Sequence, residues 1–333
     1  MKQITVMHFP CQPHFFSYGG FDIQMDRVIE LTNNSEVVSK KVDLWSKSEQ
    51  FDIAHFWGVS ESHKRNVMFC KNNGIKTVVS GLFSQKSFKA KCKQKIFNSL
   101  NKISFNKSVL YDFDIITVIN QDQAQVVNEF FGIKKSKIEI VPTILDDHLY
   151  NIKNVISKNN KKFVLCVGTI CSRKNQIKLA ETCVKLDYEC VFVGRLETSE
   201  ISYIKKFNEL IDNHKNIITH YNNLSIEELC NLYQKCQSVA CISHSETEPA
   251  SILEGMYFEK PIIASDLLFA RIDKFKNLIY CNQNNTNSII NALKISFDSN
   301  AVIKYPNFNR NENYSNNVTS LYSNIYKKLV NNN

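Results

Sequence analysis

Short, continuously apolar runs alternate along this chain with stretches of helical spacing, and that alternation leaves few ways to fold. The runs fall at 4–9, 51–56, 77–80, 114–119 and 137–141, then at 163–167, 190–193, 217–219, 239–242 and 261–264. Apolar at successive positions, they read as strands covered on both faces. The clearest helix between them begins at Ser225. Ser225 and Glu228 have capping-box spacing, and Leu229, Leu232, Tyr233 and Cys236 follow at i, i+3, i+4 and i+7. Buried strands alternating with amphipathic helices predict an α/β chain built on parallel sheets with helices on both sides.

The alternation breaks once, from about Thr143 to Lys162, in a polar stretch containing Asp146, Asp147 and the Lys-rich run 158–162. That stretch reads as a hinge. At roughly 150 residues per domain, the 333 residues are expected to form two Rossmann-like domains, 1–150 and 161–310, facing each other across a cleft. Ligands of such folds sit at the carboxyl ends of the strands. The tail 311–330 has helical spacing and is expected to pack back on the amino-terminal domain.

Composition narrows the function. The net charge is +9, but only six of the 41 basic residues are Arg, and 38 residues are Asn. A Lys and Asn excess of this kind is what a codon bias toward A and T produces, whereas readers of nucleic acid favour the Arg fork; no nucleic-acid partner is expected. The eleven cysteines contain no C-x-x-C pair and sit mostly in apolar runs, the pattern of buried thiols in a reducing compartment. The first residues are strand-like rather than an export signal, and no run approaches 18 apolar residues. A cytoplasmic protein is expected.

The window Ser243 to Glu254 carries the most chemistry. It follows the run 239–242, and Pro249 stands where a first helical position should be, ahead of a stripe of Leu253, Met256 and Tyr257. The amides of Ala250, Ser251 and Ile252 are then expected free at a helix N-terminus, which suits a phosphate. Glu246 and Glu254 lie on either side of that anion site, placed to accept hydrogen bonds from hydroxyls such as those of a ribose and a sugar. A second segment, Gly168-Thr169-Ile-Cys-Ser-Arg173-Lys174-Asn175, again separates a strand from a helix. Arg173 and Lys174 form a pair able to clamp a diphosphate and neutralise charge on it as it leaves. A third, Tyr18-Gly19-Gly20, precedes a helix with Met25, Val28 and Ile29 on one face, and paired glycines let backbone approach a phosphate closely.

The E-x7-E spacing of Glu246 and Glu254, followed by Gly255-Met256 and then Lys260-Pro-Ile-Ile-Ala-Ser-Asp266, resembles the signature of the retaining GT-B glycosyltransferases of family 4. The segments around Gly19-Gly20, His55, Val141-Pro142 and Gly168 to Lys174 fall in that family's order. The resemblance implies a nucleotide-diphosphate-sugar donor held mainly by the carboxyl half and a saccharide or lipid-linked acceptor held by the amino half. Transfer would proceed with retention, as in surface polysaccharide assembly. It further implies Glu254 on the ribose, Glu246 on the transferred sugar, Arg173 and Lys174 on the diphosphate, Gly20 approaching from the other domain, and His55 near the donor sugar. The departing phosphate takes the acceptor proton in such enzymes, so neither a cofactor nor a metal is expected. Other readings of the same residues are a nucleotide-sugar 2-epimerase and a non-catalytic binding partner.

This chain departs from the pattern at Thr169, where relatives carry Arg, at Thr143-Ile144, and at Thr247-Glu248, where a Gly-Phe is common. The last departure is expected to add a carboxylate beside the donor sugar. Separately, 86–107 holds seven Lys, no acidic residue and several large apolar side chains. It is read as a basic amphipathic segment resting on an anionic membrane. Of only nine glycines, Gly19, Gly20, Gly168, Gly194 and Gly255 fall in or beside the proposed site segments.

Overall fold

The computed structural model describes residues 3–14, 18–46, 50–83, 105–145, 162–298, 304–305 and 307–331. The basic segment at 86–107 therefore lies almost wholly outside the described residues, as does most of the expected hinge. The chain divides into two compact units: Met1–Ile144 together with Asn311–Asn333, and Leu145–Arg310.

Each unit is built on a six-stranded sheet in which every pairing is parallel. In the first, β1 (Ile4–Phe9), β2 (Val37–Lys41), β3 (Ile53–Trp57), β4 (Lys76–Ser80), β5 (Ile115–Val118) and β6 (Ile138–Ile140) lie in the order β2-β1-β3-β4-β5-β6. In the second, β7 (Phe163–Val167), β8 (Glu189–Val193), β9 (Ile218–Tyr221), β10 (Ser238–Cys241), β11 (Ile262–Ser265) and β12 (Ile279–Cys281) run β12-β11-β10-β7-β8-β9. All ten expected runs are strands. The two strands outside the expected runs, β2 and β12, are both sheet edges; β2 is largely polar and β12 is only three residues long.

Successive side chains on a strand face opposite layers, and the cores follow that rule. Leu165, Val191 and Val239 face one layer with Tyr233, Ile252 and Met256, while Val164, Cys190 and Ala240 face the other with Leu179, Phe207 and Leu293. Burying each such Val, Leu or Phe contributes roughly 1.5–3 kcal/mol. The helices of the first unit are α1 (Gly20–Thr32), α2 (Lys64–Asn72), α3 (Phe105–Asp112), α4 (Gln121–Gln125) and the carboxyl-terminal α10 (Ser315–Asn331). Val318, Tyr322, Ile325 and Tyr326 of α10 are buried in the core that β1, β3 and α1 share. The second unit has α5 (Gln176–Leu186), α6 (Ile201–Asn213), α7 (Ile226–Lys235), α8 (Ala250–Tyr257) and α9 (Thr286–Asp298).

The Ser225 capping box is present in full, with the Ser225 hydroxyl accepting from the Glu228 amide and the Glu228 carboxylate accepting from the Ser225 amide. Ten free cysteines are described, nine of them buried. Among the described residues no helix is long and apolar enough to cross a membrane.

Candidate functional site

In the second unit the strand order reverses between β7 and β10: β8 and β9 lie on one side of β7, and β10, β11 and β12 on the other. Connections leaving the carboxyl ends of two such strands diverge to opposite faces and leave a crevice between them. Here they are the segments 168–175 after β7 and 242–249 after β10, which carry Gly168, Thr169, Arg173, Lys174, Glu246 and Pro249.

Backbone conformation shapes the first segment. Gly168 and Gly194, at the ends of neighbouring strands, have φ of +141° and +150°, which L side chains rarely adopt. A side chain at Gly194 would collide with the Gly168 carbonyl, whereas one at Gly168 would only touch the Lys174 stem, at 3.4 Å. Glycine at 168 is required by its backbone angle rather than by crowding. A single 3-10 turn, Ser172–Lys174, follows and ends at Asn175, whose left-handed φ of 61° suits Asn better than most residues. The Asn175 amide group donates to the carbonyls of Ile242 (3.3 Å) and Gln283 (3.0 Å), fastening the segment to the end of β10. Buried Gln176 donates to the Thr169 carbonyl at 2.9 Å and accepts from the Cys171 amide at 3.3 Å. Thr169 itself is half-buried.

The second segment is joined to the first. The His244 amide donates to the Arg173 carbonyl (2.8 Å), the Arg173 guanidinium donates to the Ser245 carbonyl (2.8 Å), and the Ser265 hydroxyl donates to the Ser243 carbonyl (2.7 Å). These bonds set Glu246 over Lys174. One carboxylate oxygen, Oε1, lies 2.7 Å from Lys174 Nζ and 3.0 Å from Arg173 Nη1. The Glu246 and Lys174 side chains are 8% and 15% exposed, whereas Arg173 is half-exposed at 50%. Burial works against the Lys174 ammonium, but the Glu246 carboxylate and its hydrogen bond offset that cost and hold the lysine above its usual value. Burial also pushes the Cys241 and Cys166 thiols upward, so both are neutral at physiological pH and Glu246 is the anion that the lysine meets.

At the start of α8 the structure corrects two expectations. Pro249 is the cap residue rather than the first helical one: its ψ of 126° is extended, and the helix begins at Ala250. The Ile252 amide is not free, because it donates to the Pro249 carbonyl at 3.1 Å. The amides of Ala250 and Ser251 have no partner among the described residues. Gly255 lets α8 sit close on the sheet, since a side chain there would meet Val239 at 3.1 Å and Ile262 at 3.2 Å.

Glu254 accepts a 2.5 Å hydrogen bond from the hydroxyl of Tyr233 on α7. Tyr233 is wholly buried. Burial first, then the Glu254 charge and that bond, hold its pKa well above 10, so it remains the donor. Glu248 contradicts expectation: its side chain is fully buried and pairs with Lys274 Nζ at 2.9 Å. It therefore adds no carboxylate beside a sugar.

Three candidates belong to the first unit. Gly19 caps α1 with an extended φ of −134°, its amide donating to the Asp22 carboxylate at 2.8 Å, and Gly20 opens the helix. A side chain at either would meet nothing within 4 Å. His55, expected near a strand end and a donor sugar, is instead the central residue of β3 and has no exposed surface. Its Nδ1 lies 2.8 Å from the Tyr326 hydroxyl and its Nε2 lies 2.8 Å from the Ser80 hydroxyl. The period of two places His55 on the same face as Ile53 and Trp57, beneath α10. Gln176 and Lys274 were not singled out by spacing, Asn175 stood inside a quoted segment next to the Arg-Lys pair, and Tyr233 was read only as part of the apolar stripe of its helix.

Residues 150–302 match the family model for glycosyl transferases group 1, a span lying within the second unit. No curated protein matches the chain. Solved structures share the fold across the chain. A glycosyltransferase from Rickettsia africae ESF-5 is 17% identical with a TM-score of 0.69, and the match covers 100% of both chains. Sucrose-phosphate synthase from Thermosynechococcus elongatus is 12% identical with a TM-score of 0.71 and the same coverage. Anabaena Alr3699/HepE, in complex with UDP and glucose, is 12% identical with a TM-score of 0.70, covering 99% of this chain and 100% of that one. The chain thus has a group 1 glycosyl transferase match over the unit that carries the charged cluster, and the two-domain α/β fold of the GT-B glycosyltransferases.

Proposed function

We propose that this protein is a retaining glycosyltransferase that moves a sugar from a nucleotide-diphosphate-sugar donor to a saccharide or lipid-linked glycan acceptor, in surface polysaccharide assembly. The observation that carries the proposal is the convergence of Arg173, Lys174 and Glu246 at the point where the strand order of the second unit reverses. The group 1 match and the UDP and glucose bound by the Anabaena protein of like fold support a nucleotide-sugar as ligand.

Each residue then has a task set by its chemistry. Arg173 and Lys174 hold the diphosphate and offset the charge that grows on it as the sugar departs, an effect worth roughly 10²–10³ in turnover for a single donor. The Ala250 and Ser251 amides add partial positive charge at the α8 N-terminus, and Gly168 keeps the backbone clear of the phosphates. Glu254, fixed by Tyr233, accepts from the ribose hydroxyls, and Glu246 accepts from hydroxyls of the transferred sugar. The leaving phosphate takes the acceptor proton, so the reaction uses no metal. Since His55 is buried and hydrogen-bonded on both ring nitrogens, no step is given to it. Association with the inner face of an anionic membrane through 86–107 belongs to the same proposal and is tested by liposome co-sedimentation.

The deciding experiment is calorimetric titration with UDP, GDP, ADP and CDP, followed by product analysis with the matching nucleotide-sugar in the presence and absence of a saccharide acceptor. Binding of one diphosphate and acceptor-dependent release of it are expected. Turnover of donor without any acceptor would replace the transferase with an epimerase, and failure to bind all four diphosphates would remove the donor site altogether.

A further inference from the structure

Glu246 is expected to serve the sugar, yet the structure ties it to the two cations expected to serve the diphosphate. Both Lys174 and Arg173 converge on one oxygen of its carboxylate, leaving Oε2 without a partner among the described residues. Lys174 carries three donor hydrogens and is only 15% exposed, but Glu246 is its one partner among the described residues. Arg173 spends one terminal nitrogen on Ser245 and Glu246, and the rest of its fork has no partner among the described residues. The cluster therefore holds two positive charges against one negative charge, with donor hydrogens to spare. It is arranged to take in a further anion.

We propose that Glu246 is the internal counter-ion of an anion clamp, and that a diphosphate entering the clamp displaces it, releasing the carboxylate to accept hydrogen bonds from the sugar that the diphosphate carries. This rests on the donor reading above for the identity of the ligand. A diphosphate linkage brings two negative charges to the two cations, which leaves the carboxylate surplus and repelled by the phosphates at such short range. If sugar hydroxyls are there to receive it, the displaced carboxylate regains hydrogen bonds. With a bare nucleoside diphosphate it regains none and competes to return to Lys174. The clamp consequently favours the sugar-bearing donor over the sugar-free product, and re-pairing of Glu246 helps expel that product. The bond from the His244 amide to the Arg173 carbonyl and the one from the Arg173 guanidinium to the Ser245 carbonyl make the exchange local, since the carboxylate has only to rotate while its segment stays in place.

The test uses the full chain with Glu246→Gln, which preserves shape and the hydrogen bond to Lys174 while removing the charge; an unchanged melting profile confirms that the variant folds. Inorganic pyrophosphate probes the clamp alone, and the four nucleoside diphosphates probe it as a donor site. Removing the counter-ion is expected to tighten pyrophosphate and the preferred diphosphate at least tenfold, and adding Arg173→Gln to the variant is expected to cancel that gain. Equal or weaker anion binding by Glu246→Gln would overturn the inference. Tighter pyrophosphate binding without selection of any nucleotide would uphold the counter-ion and sink the nucleotide-sugar reading, so the two failures are distinguishable.

Discussion

Two polar clusters, one in each unit, show how differently a parallel sheet can house hydrogen-bonding groups. In the first unit His8 and His55 stand opposite each other on β1 and β3, their rings 4.9 Å apart. The Trp57 indole donates to His8 at 3.0 Å, the Ser80 hydroxyl lies 2.6 Å from that of Thr117, and Tyr322 and Tyr326 of α10 close the cluster from above. Both imidazoles are wholly buried. In the second unit Lys174, Arg173 and Glu246 are charged, one of them half-exposed, with donors unspent. The first cluster is neutral and closed; the second is charged and open. Polar groups inside a fold are tolerated when every one is satisfied, and that is a structural arrangement. Groups left with spare capacity at the end of a strand are disposed toward a ligand.

The largest effect expected from this contrast comes from Lys174→Ala. Transfer should fall about a thousandfold at saturating donor, while the acid sensitivity contributed by the first unit stays as in the parent. Near-normal turnover would erase the distinction between the clusters.

Acid should act on the other side. Burial pushes the His8 pKa from 6.5 down to about 3, and burial followed by the charge of His8 holds His55 well below its usual value. The unfolded chain therefore takes up protons below pH 6.5 that the folded chain refuses. Stability is complete above that pH and is lost as pH falls through the window from 6.5 toward 3, at a limiting slope of about 1.4 kcal/mol per pH unit for His8. His55 acts in the same direction. Denaturant midpoints measured at pH 7, 6 and 5 should decline, and less steeply in His8→Gln; a flat profile would show that the histidines are not held neutral.

Tyr326→Phe leaves His55 Nδ1 without its partner and should cost about 1–3 kcal/mol in urea unfolding, with turnover per folded molecule unchanged. An activity loss without a stability loss would move His55 back to the chemistry. The smallest effect is expected for Tyr233→Phe, which loosens Glu254. Donor KM should rise roughly three- to tenfold while kcat holds; a fall in kcat alone would place Glu254 nearer the reacting bond than the ribose.

The two clusters also differ in how much of them spacing alone disclosed. The Arg173-Lys174 pair, Glu246 and Glu254 were legible because a strand, a loop of chemistry-bearing residues and a helix succeed one another in sequence. The histidine cluster was not, because its members are scattered from His8 to Tyr326, and nothing local separates a buried imidazole from one at a site. Glu248 misled for a similar reason. Its partner, Lys274, is 26 positions away, and a lone acidic residue beside a motif reads as exposed until that pairing is seen. Pro249 was misplaced by a single position, since only the backbone angle at 249 decides whether the proline opens the helix or caps it, and the Ile252 amide is taken up by the Pro249 carbonyl. Of the missed strands, β2 has only Val37 and Val38 as apolar side chains, and β12, though apolar throughout, is just three residues long.

The hydrogen bond from Tyr326 to His55 spans 271 positions, and it bears on how the chain comes off the ribosome. By the time α10 is made, the whole of Leu145–Arg310 has already been synthesised and can close on its own sheet. The first-made unit instead waits with two histidines and a patch of β1 and β3 uncovered, so the earlier half of this protein is the later half to finish folding.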